Sequence, residues 1–291
     1  RETWLQNADP FSVVFGVFAR FAPLEVRVRS GDSGRHCRGY LCRYQSGDCV
    51  NGYVCLSEAS VDQIEWNLRP PAVGLLQDRR VPVSMMVFVL ILLASVTFDG
   101  FLETPLWIQI LDRTLGDEIF FVGNAAFILF PMLFCLVYLL FCWMMFQSAV
   151  LAGGRPIEWS AQSTMEVACT FVLTLVPIAI AYHLAHYLSF LLITGQYLVP
   201  LISDPLGLGW DLFGTAEYRT NIGILNAKVA WYAAVFSVVC GHVFAVYIAH
   251  VAARRVFGNA RVALWSQIPM FALMVVYTML SLWILAQPMV G

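Results

Sequence analysis

Long apolar segments separated by short polar breaks dominate the chain after residue 80. A helix needs about 20 apolar residues to cross the hydrocarbon core of a bilayer. Five segments meet or nearly meet that length: 81–99, 119–151, 167–202, 229–253 and 262–290. They do not show the alternation of apolar and polar residues that is typical of membrane-barrel strands. The pattern therefore predicts an all-α, polytopic transmembrane helix bundle of about five spans over residues 81–291.

The first 24 residues contain a shorter apolar run. Asp9 followed by Pro10 is a favourable helix start, and Pro23 ends the run. Its roughly 13 apolar residues fall short of a full span, and Arg20 interrupts them near the end. We expect residues 1–24 to form a short interfacial or re-entrant helix. The alternative is the tail of a preceding transmembrane helix.

Three polar or mixed segments connect these elements. Residues 25–80 are polar and rich in cysteine, and we expect them to form a small loop module. Residues 105–111 are expected to form a short amphipathic segment between the first two spans. Residues 203–221 are rich in glycine and aromatic residues and suit an ordered loop on the membrane surface. Trp210 and Phe213 would anchor that loop at the interface.

Composition supports a membrane protein and excludes several other classes. The chain of 291 residues is 59% hydrophobic and 12% charged, whereas soluble domains carry about 25% charged residues. Its formal net charge of −2, without a basic block, argues against a disordered chain or a nucleic acid partner. The sequence starts at Arg1 rather than methionine. We therefore expect either a cleaved segment or further membrane helices before it.

Arginine placement predicts the orientation. The loop after the fourth span carries three arginines and no acidic residue: Arg254, Arg255 and Arg261. Such loops are usually cytoplasmic. Alternation of the spans then places the acidic segments 100–118 and 203–228 outside and residues 25–80 inside.

The eight cysteines fall into two groups. Cys135, Cys142, Cys169 and Cys240 lie in spans, where they behave as small apolar residues. The second group lies within a short polar stretch and comprises Cys37, Cys42, Cys49 and Cys55. In a reducing compartment these thiolates suit a structural zinc ion, with His36 as a substitute ligand. Two disulfides or an iron–sulfur cluster are the alternatives.

Ionisable residues within or beside the spans are the candidates for chemistry. Such residues are costly in a bilayer and usually mark a functional site. Asp99 and Glu103 lie at the end of the first span, and His183 and His186 share a face of the third. We expect these four residues to form an outward-facing pocket that binds a metal ion, with Asp99, His183 and His186 as catalytic residues.

Several alternatives remain for these residues. Any one histidine in a span can simply hydrogen-bond to a neighbouring helix. His242, in the fourth span, is a candidate cofactor ligand, and haem ligation would need it at the same depth as His186 on the facing helix. Tyr182 and Tyr187 are interpreted as packing and interfacial residues rather than acids.

Six strings of the chain carry a resemblance to a known family. They are DPFSVVFGVFARFAPLEVR, WNLRPPAVGLL, TFDGFLETPLW, HLAHYLSFLLITGQY, SDPLGLGWDLFG and SQIPMFALMVVYTMLSLWILAQP. The chain resembles the C-terminal part of the bacterial integral membrane proteins labelled fenitrothion hydrolase. That resemblance implies hydrolysis of an organophosphate triester, a bacterial inner membrane location and further helices before residue 1. It carries over no catalytic residues.

Three functions are consistent with the sequence. The first is a metal-dependent hydrolase of lipophilic, organophosphate-type esters, whose substrate is small and enters from the bilayer. The second is a transporter-like subunit that uses the same polar residues as an ion pathway. The third is a non-catalytic or redox subunit of a larger membrane complex, which binds haem or a metal.

Overall fold

A computed structural model describes most of the chain. The described residues are Trp4, 8–28, 43–45, 48–50, Leu56, 59–76, 81–114, 118–153 and 164–287, with the backbone alone for 43–45 and 48–50. The helices are α1 (Pro10–Ala19), α2 (Val83–Leu102), α3 (Pro105–Asp112), α4 (Glu118–Leu151), α5 (Thr164–Phe171), α6 (Val176–Thr194), α7 (Leu198–Ser203), α8 (Ala227–Phe257) and α9 (Ala260–Leu285). The strands are β1 (Leu24–Val28), β2 (Arg43–Gln45), β3 (Asp48–Val50) and β4 (Ile64–Leu68).

Five helical segments are long and apolar enough to cross a membrane. They are α2, α4, the segment Thr164–Ser203, α8 and α9. The protein is therefore an integral membrane protein, and the predicted all-α bundle is confirmed. Each segment starts and ends within a few residues of its predicted span, because the polar breaks in the sequence limit its length.

The third span changes its helical form along its length. It consists of α5, a 3-10 turn at Val172–Leu175, α6, a second 3-10 turn at Gly195–Tyr197, and α7. Pro177 lies in the first turn of α6. Proline lacks an N–H and clashes with the carbonyl four residues earlier, so it disfavours a regular α-helix at that point, although α4 and α9 continue through Pro131 and Pro269. The first 3-10 turn lies where that disruption is expected.

The spanning helices pack in a ring. Around it, α2 contacts α6, α6 contacts α8, α8 contacts α9, α9 contacts α4, and α4 contacts α2. The third span is the most enclosed, with 78% of its most apolar window buried, whereas only 11% of the corresponding window of α4 is buried. Most of α4 therefore faces lipid or a partner, and α6 lies at the centre of the packing.

The closest helix contact is between α6 and α8 at Gly241. A Cβ atom on Gly241 would lie 2.4 Å from the Ala181 Cβ and 2.8 Å from the Pro177 carbonyl oxygen. Only glycine permits this approach, which places Gly241 level with residues 177–181 of α6. The contact thereby sets the relative depth of the side chains on the two helices.

A small antiparallel sheet lies in the segment that the sequence predicts to be a loop module. Its strand order is β2-β3-β1-β4. Cys49 lies on β3 and pairs with Val28 of β1. Cys37, Cys42, Cys55 and His36 lie outside the described residues. The zinc, disulfide and iron–sulfur interpretations of the cysteine cluster therefore stay predictions.

Arg69 connects this sheet to α1. Its guanidinium donates to the carbonyl oxygens of Ala19 at 3.3 Å, Arg20 at 3.1 Å and Ala22 at 3.2 Å. These carbonyls lie at the end of α1 and just beyond it, where the regular backbone hydrogen bonds of an α-helix end. The guanidinium also forms an ion pair with the buried carboxylate of Glu25 on β1. One side chain therefore holds the helix end and the sheet together.

The helix α1 packs along the bundle. Val13 and Val17 are buried in the main core. Phe18 lies edge-on to the His183 ring at 6.3 Å, and Phe21 lies edge-on to Phe244 at 5.6 Å. The helix therefore contacts both α6 and α8. Whether it lies at the membrane interface stays a prediction.

The connection between α7 and α8 is an ordered loop. The buried Ser203 hydroxyl donates to Asp211 at 2.8 Å, and Asp211 also accepts the Ala216 N–H at 3.0 Å. Backbone donation from Ala216, together with Ser203, lowers the pKa of Asp211. Leu206 and Phe213 are exposed on this loop, as an anchor in a bilayer surface requires.

The Gly241 contact leads to a test of bundle packing. We expect Gly241→Val to destabilise the protein by about 1–3 kcal/mol, because the added carbons must force α6 and α8 apart. The matched control is Gly123→Val on α4, since no atom lies within 4 Å of a Cβ at Gly123. Thermal unfolding in detergent measures both. Equal melting temperatures for the two variants would contradict the role of Gly241.

The Glu25 ion pair predicts a loss of stability in acid. Burial raises the pKa of Glu25, but hydrogen bonds and charges from Arg27 and Arg69 lower that pKa by a larger amount. The resulting pKa lies below the ordinary 4.5. Its stabilising effect is therefore complete above pH 4.5 and is lost as pH falls through the lowered pKa. We expect Glu25→Gln to lower the melting temperature most above that pH and to flatten its pH dependence. Asp112→Asn, at an exposed position on α3, should keep the wild-type profile.

Candidate functional site

The end of α2 and the middle of α6 bring the carboxyl group of Asp99 and the phenol of Tyr187 together. The Tyr187 hydroxyl donates a hydrogen bond of 2.7 Å to Oδ2 of Asp99. Both side chains are half-buried. A hydrogen bond to an ionised acceptor is stronger than a neutral one and fixes the carboxylate in place. Asp99 and Tyr187 therefore form the defined centre of the site.

Two predicted site residues surround this pair. The edge of the His186 ring meets the Tyr187 ring at a centroid distance of 4.7 Å. His186 also lies within electrostatic reach of Asp99 and Glu103. Glu103 caps the end of α2 and is exposed. The side chains of Asp99, Glu103, His183, His186 and Tyr187 are called the Asp99 cluster below.

His183 lies at the edge of the cluster, three residues before His186 on α6. Its Nδ1 is 2.8 Å from the Ala179 carbonyl oxygen. Because a carbonyl only accepts, Nδ1 carries the hydrogen and Nε2 keeps its lone pair in the neutral ring. The ring also lies against Phe18 and Tyr187. His183 thus has one nitrogen committed to its own helix and one available for chemistry.

His242 does not join this group. Its neighbour Gly241 packs against α6 between Pro177 and Ala181, which lie nine and five residues, or about 14 and 8 Å of helix, before His186. The ring is buried against Tyr277 at 5.8 Å, and Nδ1 lies 2.9 Å from the Val238 carbonyl oxygen. His242 is therefore deeper in the bundle than both histidines of α6. The haem interpretation stays a prediction, and this offset separates its two proposed ligands along the bundle.

Among the described residues, which include Asp99, Glu103, His183 and His186, no three His, Cys, Asp or Glu side chains are arranged to hold a metal ion. One oxygen of Asp99 accepts from Tyr187, and one nitrogen of His183 faces Ala179. A metal ion on the four predicted ligands of the Asp99 cluster stays a prediction.

Two tyrosines have roles that the sequence did not indicate. The interpretation of Tyr187 as a packing and interfacial residue rather than an acid stays a prediction, and its hydroxyl in addition donates to Asp99. Its position directly after His186 was the available signal. Tyr182 is buried as predicted, but its hydroxyl faces the polar interior near Gly100. Its spacing of four residues from His186 places both on one helix face.

Comparison of the chain with protein-family models, curated proteins and solved structures found no match. The site is therefore interpreted from its own geometry.

The Asp99–Tyr187 hydrogen bond leads to a stability test. We expect Tyr187→Phe to cost about 1–2 kcal/mol, since a charged acceptor loses its donor in a half-buried position. Asp99→Asn should cost less, because an amide oxygen still accepts from Tyr187. The control is Tyr247→Phe at an exposed position of α8. Chemical unfolding in mixed micelles measures the three variants, and equal stability of Tyr187→Phe and wild type would contradict the hydrogen bond.

Proposed function

We propose that this integral membrane protein hydrolyses small lipophilic esters and that the Asp99 cluster is its active site. The observation that carries the proposal is the Asp99–Tyr187 hydrogen bond with His186 against it. A carboxylate, a phenol and an imidazole in contact provide an acceptor, a donor and a base within one site. The resemblance to the fenitrothion hydrolase family supplies the substrate class, an organophosphate-type triester, and a bacterial inner membrane as the location.

His186 is the candidate general base. It would take a proton from a water molecule as the water oxygen attacks phosphorus or the acyl carbon. The bond to the leaving group then breaks, and the proton passes from His186 to the departing oxygen. The carboxylates of Asp99 and Glu103 lie within electrostatic reach of His186, and they would stabilise the positive charge that its ring carries between these steps.

Tyr187 and Asp99 have complementary roles. The Tyr187 hydroxyl donates its single proton to Asp99 and so holds that carboxylate beside His186. His183 completes the edge of the site beside Phe18. The surrounding helices present exposed apolar side chains, including Leu184 and Phe190 on α6. A lipophilic substrate is able to reach the cluster from the bilayer along such surfaces.

Metal binding remains part of the proposal at two places. A zinc ion on Cys37, Cys42, Cys49 and Cys55 would fold the polar module without a large core. A second ion at Asp99, Glu103, His183 and His186 would require these side chains to move together, and it would activate water as a Lewis acid. Elemental analysis of the purified protein distinguishes the two sites, because only the second ion depends on the histidines.

The central experiment is a hydrolysis assay in lipid nanodiscs. The probe is a lipophilic aryl phosphotriester with a nitrophenol leaving group, compared with the matching carboxylic ester. We expect His186→Gln to lower kcat by roughly 10²–10⁴-fold, as loss of a general base does. Tyr187→Phe should also lower kcat rather than raise KM alone, because the Asp99 carboxylate that stabilises the His186 cation in the transition state is then no longer held in place.

Matched controls separate chemistry from folding. His250→Gln and Tyr247→Phe change the same residue types on α8 away from the cluster and should keep wild-type activity. Wild-type protein without turnover of either ester, or His186→Gln with full activity, would overturn the proposal. A Soret band would instead favour the redox subunit, and ion flux in proteoliposomes would favour the transporter-like subunit. Chelator-sensitive activity together with metal lost in His183→Ala would add the second metal to the mechanism.

A further inference from the structure

The ring of spanning helices encloses a second set of polar side chains, separate from the Asp99 cluster. These residues are Thr97, Tyr182, His242, Tyr277 and Ser281, called the interior cluster below. All five are at most 9% exposed. They come from α2, α6, α8 and α9, so the four helices meet around them. Polar groups in such a place need partners within the protein or a bound molecule.

Two members of the interior cluster, Thr97 and Tyr277, are joined by a hydrogen bond between their hydroxyl groups. The Thr97 hydroxyl donates to the Leu93 carbonyl oxygen at 2.8 Å. Its single proton is used there, so the 2.6 Å contact between Thr97 and Tyr277 is donated by the Tyr277 hydroxyl. The oxygen of Tyr277 keeps lone pairs that are able to accept a further hydrogen bond.

Tyr182 presents a donor without an acceptor. Its hydroxyl is buried and has no hydrogen-bond partner within the described part of the chain. Ser281 lies beside it, and the Ser281 proton goes to the Tyr277 carbonyl oxygen at 2.8 Å. The Ser281 oxygen keeps lone pairs, but its position relative to the Tyr182 hydroxyl does not meet the geometry of a hydrogen bond. The Tyr182 ring stacks on the Tyr277 ring at 6.3 Å.

His242 presents an acceptor without a donor. Its Nδ1 faces the Val238 carbonyl oxygen and must carry the hydrogen, so Nε2 of the neutral ring is an acceptor. That Nε2 is buried and has no partner among the described residues. The His242 ring lies on Tyr277 at 5.8 Å, as the Tyr182 ring does at 6.3 Å.

We infer that the interior cluster binds a water molecule between Tyr182 and His242. The water accepts the Tyr182 O–H and donates one hydrogen to Nε2 of His242. Its second hydrogen is available to the Tyr277 oxygen, which gives three partners, the usual number for a buried water. An apolar occupant would leave both the donor and the acceptor unsatisfied, so a small hydroxylic molecule is the chemistry that fits.

The geometry also links this site to the Asp99 cluster. The position of a Cβ on Gly100 would be 3.7 Å from the Tyr182 hydroxyl oxygen and 3.9 Å from Nδ1 of His186. Tyr182 and His186 are four residues apart on α6 and share one face. Gly100 therefore lies beside both the Tyr182 hydroxyl of the interior cluster and the His186 ring of the Asp99 cluster. The inference does not depend on the proposed hydrolase activity.

The test is water-edited solid-state NMR of ¹⁵N-histidine-labelled protein in lipid bilayers. The His242 signal is assigned by its absence in His242→Gln. We expect a protonated Nδ1, an unprotonated Nε2 and a cross-peak from water protons to Nε2. Tyr182→Phe should lose that cross-peak because the water loses its donor. Tyr247→Phe, at an exposed position, should retain it.

Two results would overturn the inference. One is a wild-type His242 ring without a water cross-peak, which needs no variant and so does not depend on whether Tyr182→Phe folds. The other is a cross-peak of full intensity in Tyr182→Phe, which would show that Tyr182 does not hold the water. Neither readout involves ester turnover, so failure here is distinguishable from failure of the proposed function.

Discussion

The hydrocarbon core of a bilayer offers no hydrogen-bond partners, and the arrangement of polar side chains follows from that constraint. Thr97, His183 and His242 each bond to a backbone carbonyl four residues earlier on their own helix. Each is thereby partly satisfied before any other helix packs against it. What remains for contacts between helices is a limited set of donors and acceptors. Some of them join α4 to α5 and α8 to α9, and others collect in the Asp99 cluster and the interior cluster. The glycine contact between α6 and α8 then sets the depth at which the interior cluster forms.

Much of the fold was predictable because the length of an apolar run decides whether a helix can cross a bilayer. The five spans followed from that rule, as did the start of α1 at Asp9, whose side chain accepts the Ser12 N–H at 2.9 Å. The small sheet was not predictable in the same way. Its strands are three to five residues long, and their pairing brings distant parts of the polar segment together. Patterns within so short a strand carry little information about such partners.

The site was predictable in its residue types but not in its contacts. Asp99, His183 and His186 could be identified because ionisable residues in spans are costly. Depth was the uncertain quantity, since His183 and His242 could be compared only once the register of α6 and α8 was known. The same register separates His242 from His186 and leaves its ring against Tyr277. The hydrogen bond of Tyr187 was not predictable, because a tyrosine in a span fits packing or an interfacial belt as well as it fits a hydrogen bond to a carboxylate.

The connection made by Arg69 has a mechanical consequence. Its guanidinium donates to the carbonyls at the end of α1, while Phe18, one residue before the helix ends at Ala19, lies against His183. Arg69 and α1 therefore connect the sheet to the rim of the Asp99 cluster by a path outside the spanning helices. A displacement of β1 or β4 would reach Phe18 and the His183 ring along that path.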